Sequence, residues 1–504
     1  MDKPSFLRRA WDHPLYLSPP HRPALFSDPL PTLALALCTY LTLLTLSYLA
    51  LSPSPYTRLN RLLRLFLLPP ALALLSKLFL AHRAGDLEPF NESGFGALGV
   101  IIAARAVILS LGLFGRAGRL RWIGWESYLH RPDGYWATQE GKAELKKWDS
   151  AVLSSALPTP DPPSSPTYSR PKRLALAALF LLSPRHIGFS TARPPSAYRH
   201  PPFERGKAMR YHLSLVLLAG AACDGVILLY RSHRGFCAFE GDASRRVGLG
   251  APFPAEANPL LARLPLLLRV ALHTLAVGTV IKSSLHLFQS SLALSFLLLL
   301  PCSTTDKVPF PSLTLLNPLS LLLPPALVQR TGMAPAPESV RAFWSHGWHD
   351  LLSVDVAHVA FFPLLLCCRI PPFLRRPAAV LAAFTFSGVL HAVSLHAVAL
   401  GPAYGGMLAV FLLQGGAVAV EHLFERRTGR RVGGAWGRGW TLAVVGASGM
   451  GLAALYIPRG FFGFRRPFSP LGWGLKALDE LQGRTGGARW WPEREAAVFP
   501  FGQE

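Results

Sequence analysis

Eight consecutive residues, Phe343-Trp344-Ser345-His346-Gly347-Trp348-His349-Asp350, bring two tryptophans, two histidines and an aspartate together just ahead of an apolar run. Tryptophan and histidine at a membrane boundary also serve as interfacial anchors, so the cluster reads as a site or as an anchor. A further histidine, His391, lies in FTFSGVLHAVSLHAVAL, which otherwise carries no charge. An ionisable group inside an apolar span is costly and therefore marks function by default; the alternative is a neutral histidine hydrogen-bonded between helices. Ser387, His391 and Ser394 are spaced i, i+4, i+7 and share one helix face. Gly388 beside them would let a second helix come close. His396 falls on a different face. The chemistry such residues suit is removal of a proton from a hydroxyl, because histidine titrates near neutrality and is the natural general base. A second donor would hold its tautomer or steady an oxyanion, and His349 is the first choice, Gln414 the next.

Gln414 and Glu421, in FLLQGGAVAVEHLF, are two turns apart and share a face, unless Glu421 already sits at the solvated end of its span. Ser183-Pro184-Arg185-His186-Ile187-Gly188-Phe189 closes a short apolar run and means little alone. Arg105 and Asp224 are polar intrusions into apolar runs, with no partner evident from the sequence.

The elements that must position these residues are membrane helices. Half of the 504 residues are apolar and only 16% are charged, against about a quarter in a soluble domain. The charge is missing from whole stretches: residues 31–51 hold none, and about 20 apolar residues span a ~30 Å hydrocarbon layer. Spans are expected near 31–51, 62–81, 95–114, 209–230, 263–281, 286–301, 351–368, 378–400, 404–423 and 440–457. Pro69–Pro70 interrupt the second and the sixth is short, so eight to ten spans are expected. No alternating pattern appears, so the fold class is all-α, a polytopic membrane protein. The run 31–51 reads as a permanent anchor, because the polar segment before it is too long for a cleaved signal peptide.

The net charge of +23 sits in the connections between apolar runs. That is the positive-inside pattern and points to membrane lipid, not nucleic acid. Residues 1–114 form an N-terminal group of spans. Residues 115–208, with 15 Lys or Arg against 7 Asp or Glu, read as a basic cytoplasmic segment. Within it, 158–173 is a Pro/Ser-rich linker expected to be irregular, and the run 174–182 is too short to span and suits the interface. Residues 209–457 hold the remaining spans, and 458–504 are a basic, aromatic interfacial tail. Three spans before a cytoplasmic 115–208 place the N-terminus and the loop 82–94, with its sequon Asn91-Glu92-Ser93, in the lumen. The six cysteines show no CxxC and no ligand spacing, so neither a disulfide framework nor a metal site is expected.

In order along the chain, SPRHIGF, RAFWSHGWHD, FTFSGVLHA and FLLQGGAVAVEHLF resemble the motif series of fungal wax-synthase-like members of the membrane-bound O-acyltransferase superfamily. The resemblance covers about residues 170–440. It departs at Ser345-His346-Gly347, where the family shows Gly-Arg-Arg, at Ala392, where it shows an acid, and at His186 and Phe189. The resemblance implies a membrane-bound O-acyltransferase fold in the endoplasmic reticulum. His391 would then be the catalytic residue and His349 the polar residue of the FW…WH motif, with Trp344, Trp348, Asp350, Ser387, Ser394, Gln414, Glu421 and Arg185 supporting. It implies transfer of an acetyl or fatty acyl group from acyl-CoA to a lipophilic alcohol such as a terpenoid, a polyketide or a long-chain alcohol. Direct transfer needs no bound cofactor and no metal; acyl-CoA is a co-substrate.

Rival chemistries lack their marks. A membrane di-iron oxygenase would need several histidine boxes, and only one HxxH (346–349) occurs. A prenyltransferase would need Asp-rich boxes, and none is present. A transporter of lipophilic metabolites could use the same scattered polar residues; it would be expected to show two related halves, and none is evident.

Overall fold

The computed structural model describes residues 29–52, 57–79, 89–114, 120, 138–154, 169–182, 205–231, 264–299, 337–347, 353–367, 369–397 and 404–456. Most of these residues are helical, and no strand occurs among them. In chain order the helices are α1 (Pro29–Ala50), α2 (Arg58–Phe79), α3 (Pro89–Leu111), α4 (Gln139–Ser154), α5 (Arg170–Leu182), α6 (Arg205–Arg231) and α7 (Leu266–Leu299). There follow α8, a single turn (Val340–Ala342) continued by a π turn (Phe343–Gly347), and α9, which begins as Ser353–Val356. α9 widens to a π turn (Ala357–Phe361) and closes as Phe362–Leu365. The last three are α10 (Pro372–Ala397), α11 (Tyr404–Thr428) and α12 (Gly434–Tyr456). The wide turn of α9 has a local cause: Pro363 offers no N–H and its ring crowds the carbonyl four residues back.

Among the described residues, four helices, Leu30–Ala50, Arg58–Phe79, Pro372–Leu395 and Tyr404–Thr428, are long and apolar enough to cross a membrane. Their outward faces are apolar too: Leu30 is 77% and Phe66 76% exposed. Side chains so placed would be expelled by water and suit lipid. The chain is an all-α, polytopic membrane protein.

Two larger packed groups occur among the described helices, beside a smaller one of Val340, Ala417, Val418 and Val444 that joins α8, α11 and α12. Leu43, Leu46, Leu75, Ile108, Leu176 and Phe180 join α1, α2, α3 and α5. Val280, Ala392, Phe411, Ala453 and Tyr456 join α7, α10, α11 and α12. α10 touches both α11 and α3, with α9 wedged beside them.

Several sequence expectations change here. The segments 263–281 and 286–301 are one continuous helix, α7. Between the two expected spans, Ser283 and Ser284 are buried, and Ser284 lies 3.6 Å from the Cys223 thiol of α6. Asp224 is buried on the same stretch of α6. α2 runs unbroken through Pro69 and Pro70. Residues 170–173 of the expected linker already belong to α5, while 155–168 lie outside the described residues. The apolar run of α5 is not a surface element, for Ala175 to Phe180 are all buried. Ser47 of α1 donates to its Ala177 carbonyl. Asn91 is not in a loop but in the first turn of α3. The tail 458–504 lies outside the described residues.

Hydrogen bonds fix one end of the first group. Asn60 donates to the Leu49 carbonyl, and buried Arg64 to the Leu109 carbonyl. The end of α1, the start of α2 and the end of α3 therefore meet, and the chain leaves α3 toward the basic 115–208 from where Arg58 and Arg61 stand. Positive charge at one end predicts that end to be cytoplasmic. A tag inserted near residue 160 should be digested by protease added to sealed microsomes; protection of the tag would reverse the orientation.

Candidate active site

Helix α8 is too short to hold itself together, so its ends must be satisfied from outside. Ser339 Oγ accepts the Ala342 N–H at 3.0 Å. The two N–H groups before it are taken by a carboxylate from α11: Glu421 Oε1 accepts from Val340 N at 2.7 Å and Oε2 from Arg341 N at 3.0 Å. Glu421 Oε1 also accepts the Trp440 indole N–H at 3.0 Å. A negative charge at a helix N-terminus is favourable in itself. Glu421 is thus buried and fully engaged, not a solvated helix end.

Two turns earlier on α11, Gln414 holds the other end of the same segment. Its Oε1 accepts the Trp344 indole N–H at 2.9 Å, and its amide nitrogen donates to Ser448 Oγ of α12. Ser448 in turn donates to the Val444 carbonyl. The shared face of Gln414 and Glu421 is therefore a clamp. Its carboxylate takes the start of α8 and its carboxamide takes Trp344, about one turn further on. Two of the sequence motifs, distant in the chain, are one structural unit.

Trp344 is packed as well as bonded. Its ring meets Phe384 of α10 edge-on at 5.3 Å and tilts against Phe411 of α11 at 6.2 Å. Phe411 stacks on His391 of α10, with ring centroids 4.8 Å apart and planes 16° from parallel. Tyr456, the last residue of α12, places its hydroxyl 3.5 Å from His391 Nδ1, at the long limit of a hydrogen bond. An aromatic chain, Trp344–Phe411–His391–Tyr456, thus crosses four helices. Close approach of α10 and α11 makes it possible. A Cβ on Gly388 would meet Leu408 Cα at 3.2 Å, and one on Gly415 would meet Phe384 Cβ at 2.9 Å.

His391 lies six residues from the described end of α10, roughly 9 Å along its axis, and so nearer that end than the middle. Ser394 is buried but bonded back to the Leu390 carbonyl of its own helix at 2.8 Å, and Ser387 is half-buried. Trp348, His349, Asp350 and Arg185 lie outside the described residues, as do the side chains of His346 and His396. Sequence reasoning missed Tyr456, Phe411, Ser448 and Trp440. An aromatic or serine in an apolar run carries no signal of its own.

Arg105 has a partner that the sequence did not reveal. Its Nε and Nη2 donate to the carboxylate of Asp355 on α9, and the Nη2–Oδ2 distance is 3.2 Å. Its Nη1 donates to the Phe180 and Leu181 carbonyls at the end of α5.

The clamp gives a testable stability effect. Glu421→Gln keeps the shape but removes one acceptor and the charge, leaving a buried N–H short of its partner. The loss should be about 2 kcal/mol, the range for hydrogen bonds to charged groups. Unfolding midpoints in detergent should fall accordingly; an unchanged midpoint would show that α8 is held by packing alone.

Fold and site together define a multi-span membrane protein with a histidine set in an aromatic cage. Residues 328–413, less than a fifth of the chain, match the model of the membrane bound O-acyl transferase family. The matched stretch contains Trp344, His391 and Phe411, and it supports a place in the membrane-bound O-acyltransferase superfamily. No curated protein and no solved structure matches the chain.

Proposed function

We propose that the protein transfers an acyl group, acetyl or fatty acyl, from acyl-CoA to the hydroxyl of a lipophilic acceptor. A terpenoid, a polyketide and a long-chain alcohol are acceptors of the right kind. The observation that carries this reading is His391, caged by Phe411 and Tyr456 inside the stretch that matches the acyltransferase family. With Nδ1–H directed at the Tyr456 oxygen, Nε2 is left unprotonated to act as base. It takes the proton of the acceptor hydroxyl as that oxygen attacks the thioester carbonyl. The C–O bond forms, the C–S bond breaks, and the proton passes to the departing thiolate, so the products are ester and free CoA. His349 is the second donor, steadying the oxyanion. Gln414 and Glu421 act at one remove, by fixing the segment that leads into Trp348, His349 and Asp350.

A site among apolar helices keeps water from the thioester, and a lipid-soluble alcohol can reach it from the bilayer. The motif series favours a fungal wax-synthase-like enzyme of the endoplasmic reticulum, with Arg185 on the donor side. The test is incubation of membranes containing the protein with labelled acyl-CoA esters of graded length and a panel of alcohols, read by mass spectrometry. Labelled ester is the expected product. Alcohol that crosses the bilayer unchanged, with no ester formed, would overturn the reading in favour of transport.

A further inference from the structure

Helix α7 carries a row of polar side chains that the acyl-transfer site does not use. Lys282, His286 and Ser290 are spaced i, i+4, i+8, one per turn along one side of the helix. Lys282 stands near the midpoint, roughly 24 Å from the start of α7 and 26 Å from its end. Its amine cannot snorkel from there to either end. It is half-buried, and among the described residues it makes no hydrogen bond and no ion pair.

The row becomes more enclosed along the helix. His286 is half-buried, with its Nδ1 buried and unpartnered among the described residues. Ser290 is fully buried, and its Oγ has no partner there either. Serine inside a helix can donate to the carbonyl four residues back, as Ser295 of α7 does to Ser291 at 2.8 Å. Ser290 does not, so its hydroxyl is turned away from its own backbone.

α6 adds a fourth group. Cys223 Sγ lies 3.8 Å from the Val280 carbonyl, and Val226, about one turn later, packs in the cluster of Ala276 and Val277. α6 therefore runs antiparallel to α7. His212 shares the face of Cys223 and lies roughly 16 Å back along α6, level with the turn of α7 that follows Ser290. It is fully buried, and neither ring nitrogen has a partner among the described residues.

Buried polar groups without partners are rare, and four on one helix pair call for an acceptor. The mid-helix depth narrows its class. A phosphate stays charged and hydrated at the interface. A carboxylic acid crosses lipid uncharged and, by passing one proton to the Lys282 amine, forms an ammonium–carboxylate pair that brings no net charge into the bilayer. We propose that Lys282, His286, Ser290 and His212 bind the carboxyl group of a lipid-soluble acid within the membrane. Its chain lies along the same side of α7, where Leu268, Leu272 and Leu275 are exposed over roughly 21 Å before Lys282.

The test uses the full chain in phosphatidylcholine nanodiscs with carboxyl-labelled palmitic acid as the probe. The readout is a saturable ¹³C carboxyl resonance distinct from that of acid dissolved in the lipid. Lys282→Met should weaken binding at least about tenfold, the cost of a lost charge-assisted contact. Ser290→Ala should weaken it less, and Lys282→Arg should retain it. Ser295→Ala, whose hydroxyl is already engaged, should change nothing. Palmitic acid should raise the unfolding midpoint of the wild type but not that of Lys282→Met, which shows in the same measurement that the variant is folded. Undiminished binding in folded Lys282→Met would overturn the site. Palmityl alcohol bound as tightly as the acid would overturn the carboxyl assignment. Transfer assays with 16-hydroxypalmitic acid separate two sources of the carboxyl. A KM raised in Lys282→Met for the hydroxy acid, but not for a plain alcohol, would support the site and make the bound acid the acceptor itself. Lost palmitate binding with both KM values unmoved would support the site and make the acid a separate ligand. Acid binding that depends on Lys282, without ester from any acceptor, would leave the site standing and the proposed reaction fallen.

Discussion

His391→Ala is expected to abolish acyl transfer while the protein remains inserted in the membrane. Loss of a general base typically removes ~10²–10⁴ of rate, enough to silence a modest enzyme. Alanine alone would be ambiguous, because it also removes the ring stacked on Phe411. His391→Phe keeps a ring there and removes both nitrogens, so it should fold and be equally inactive. His396→Gln is the internal control. Five residues further along α10, its position is about 140° round the helix from His391, and the variant should keep near-normal turnover. His349→Ala should weaken transfer rather than erase it, unless the two histidines act as one unit. The readout is ester formed per unit of inserted protein. Near-normal turnover in His391→Phe would make the histidine a stacking element and end the general-base mechanism.

The spans were legible because about twenty apolar residues in a row are a signal of composition, independent of partners. α7 shows where that signal misleads. Lys282, Ser283 and Ser284 fall between two expected spans, but a helix can carry polar side chains on a face covered by another helix, here α6 beside Cys223. The face shared by Gln414 and Glu421 was legible from spacing. What it holds was not, since Trp344 and Val340 lie 70 and 81 residues away in the chain. Glu421 could be read as solvated only because its three donors are invisible in sequence. His391 stood out as an ionisable group on the same helix face as Ser387 and Ser394 in an otherwise uncharged stretch. Its cage did not, because Phe411 and Tyr456 look like any other apolar packing residues until α11 and α12 bring them together.

The largest structural effect is expected at the Arg105–Asp355 pair. Arg105 is 3% exposed and Asp355 1%, so each charge depends on the other. Removing one partner of a buried ion pair costs ~3–5 kcal/mol, because the survivor is left uncompensated. The two single variants should nevertheless differ. Asp355→Leu leaves the guanidinium its Phe180 and Leu181 carbonyls, whereas Arg105→Met takes the guanidinium from a buried carboxylate and the donor from both carbonyls. Arg105→Met should therefore be the worse. The double variant should recover part of the loss, since an apolar pair avoids burying ions at all. Recovery should be incomplete, because the end of α5 still lacks its donor. Unfolding midpoints of the four proteins in detergent give the comparison directly. A double variant no better than Arg105→Met would show that the grip on α5, not the ion pair, holds this region together. Either result bears on function. α5 leads straight into Ser183–Phe189, and α9 follows within a few residues of His349, so one guanidinium ties together the helices that adjoin two of the four motifs in the chain.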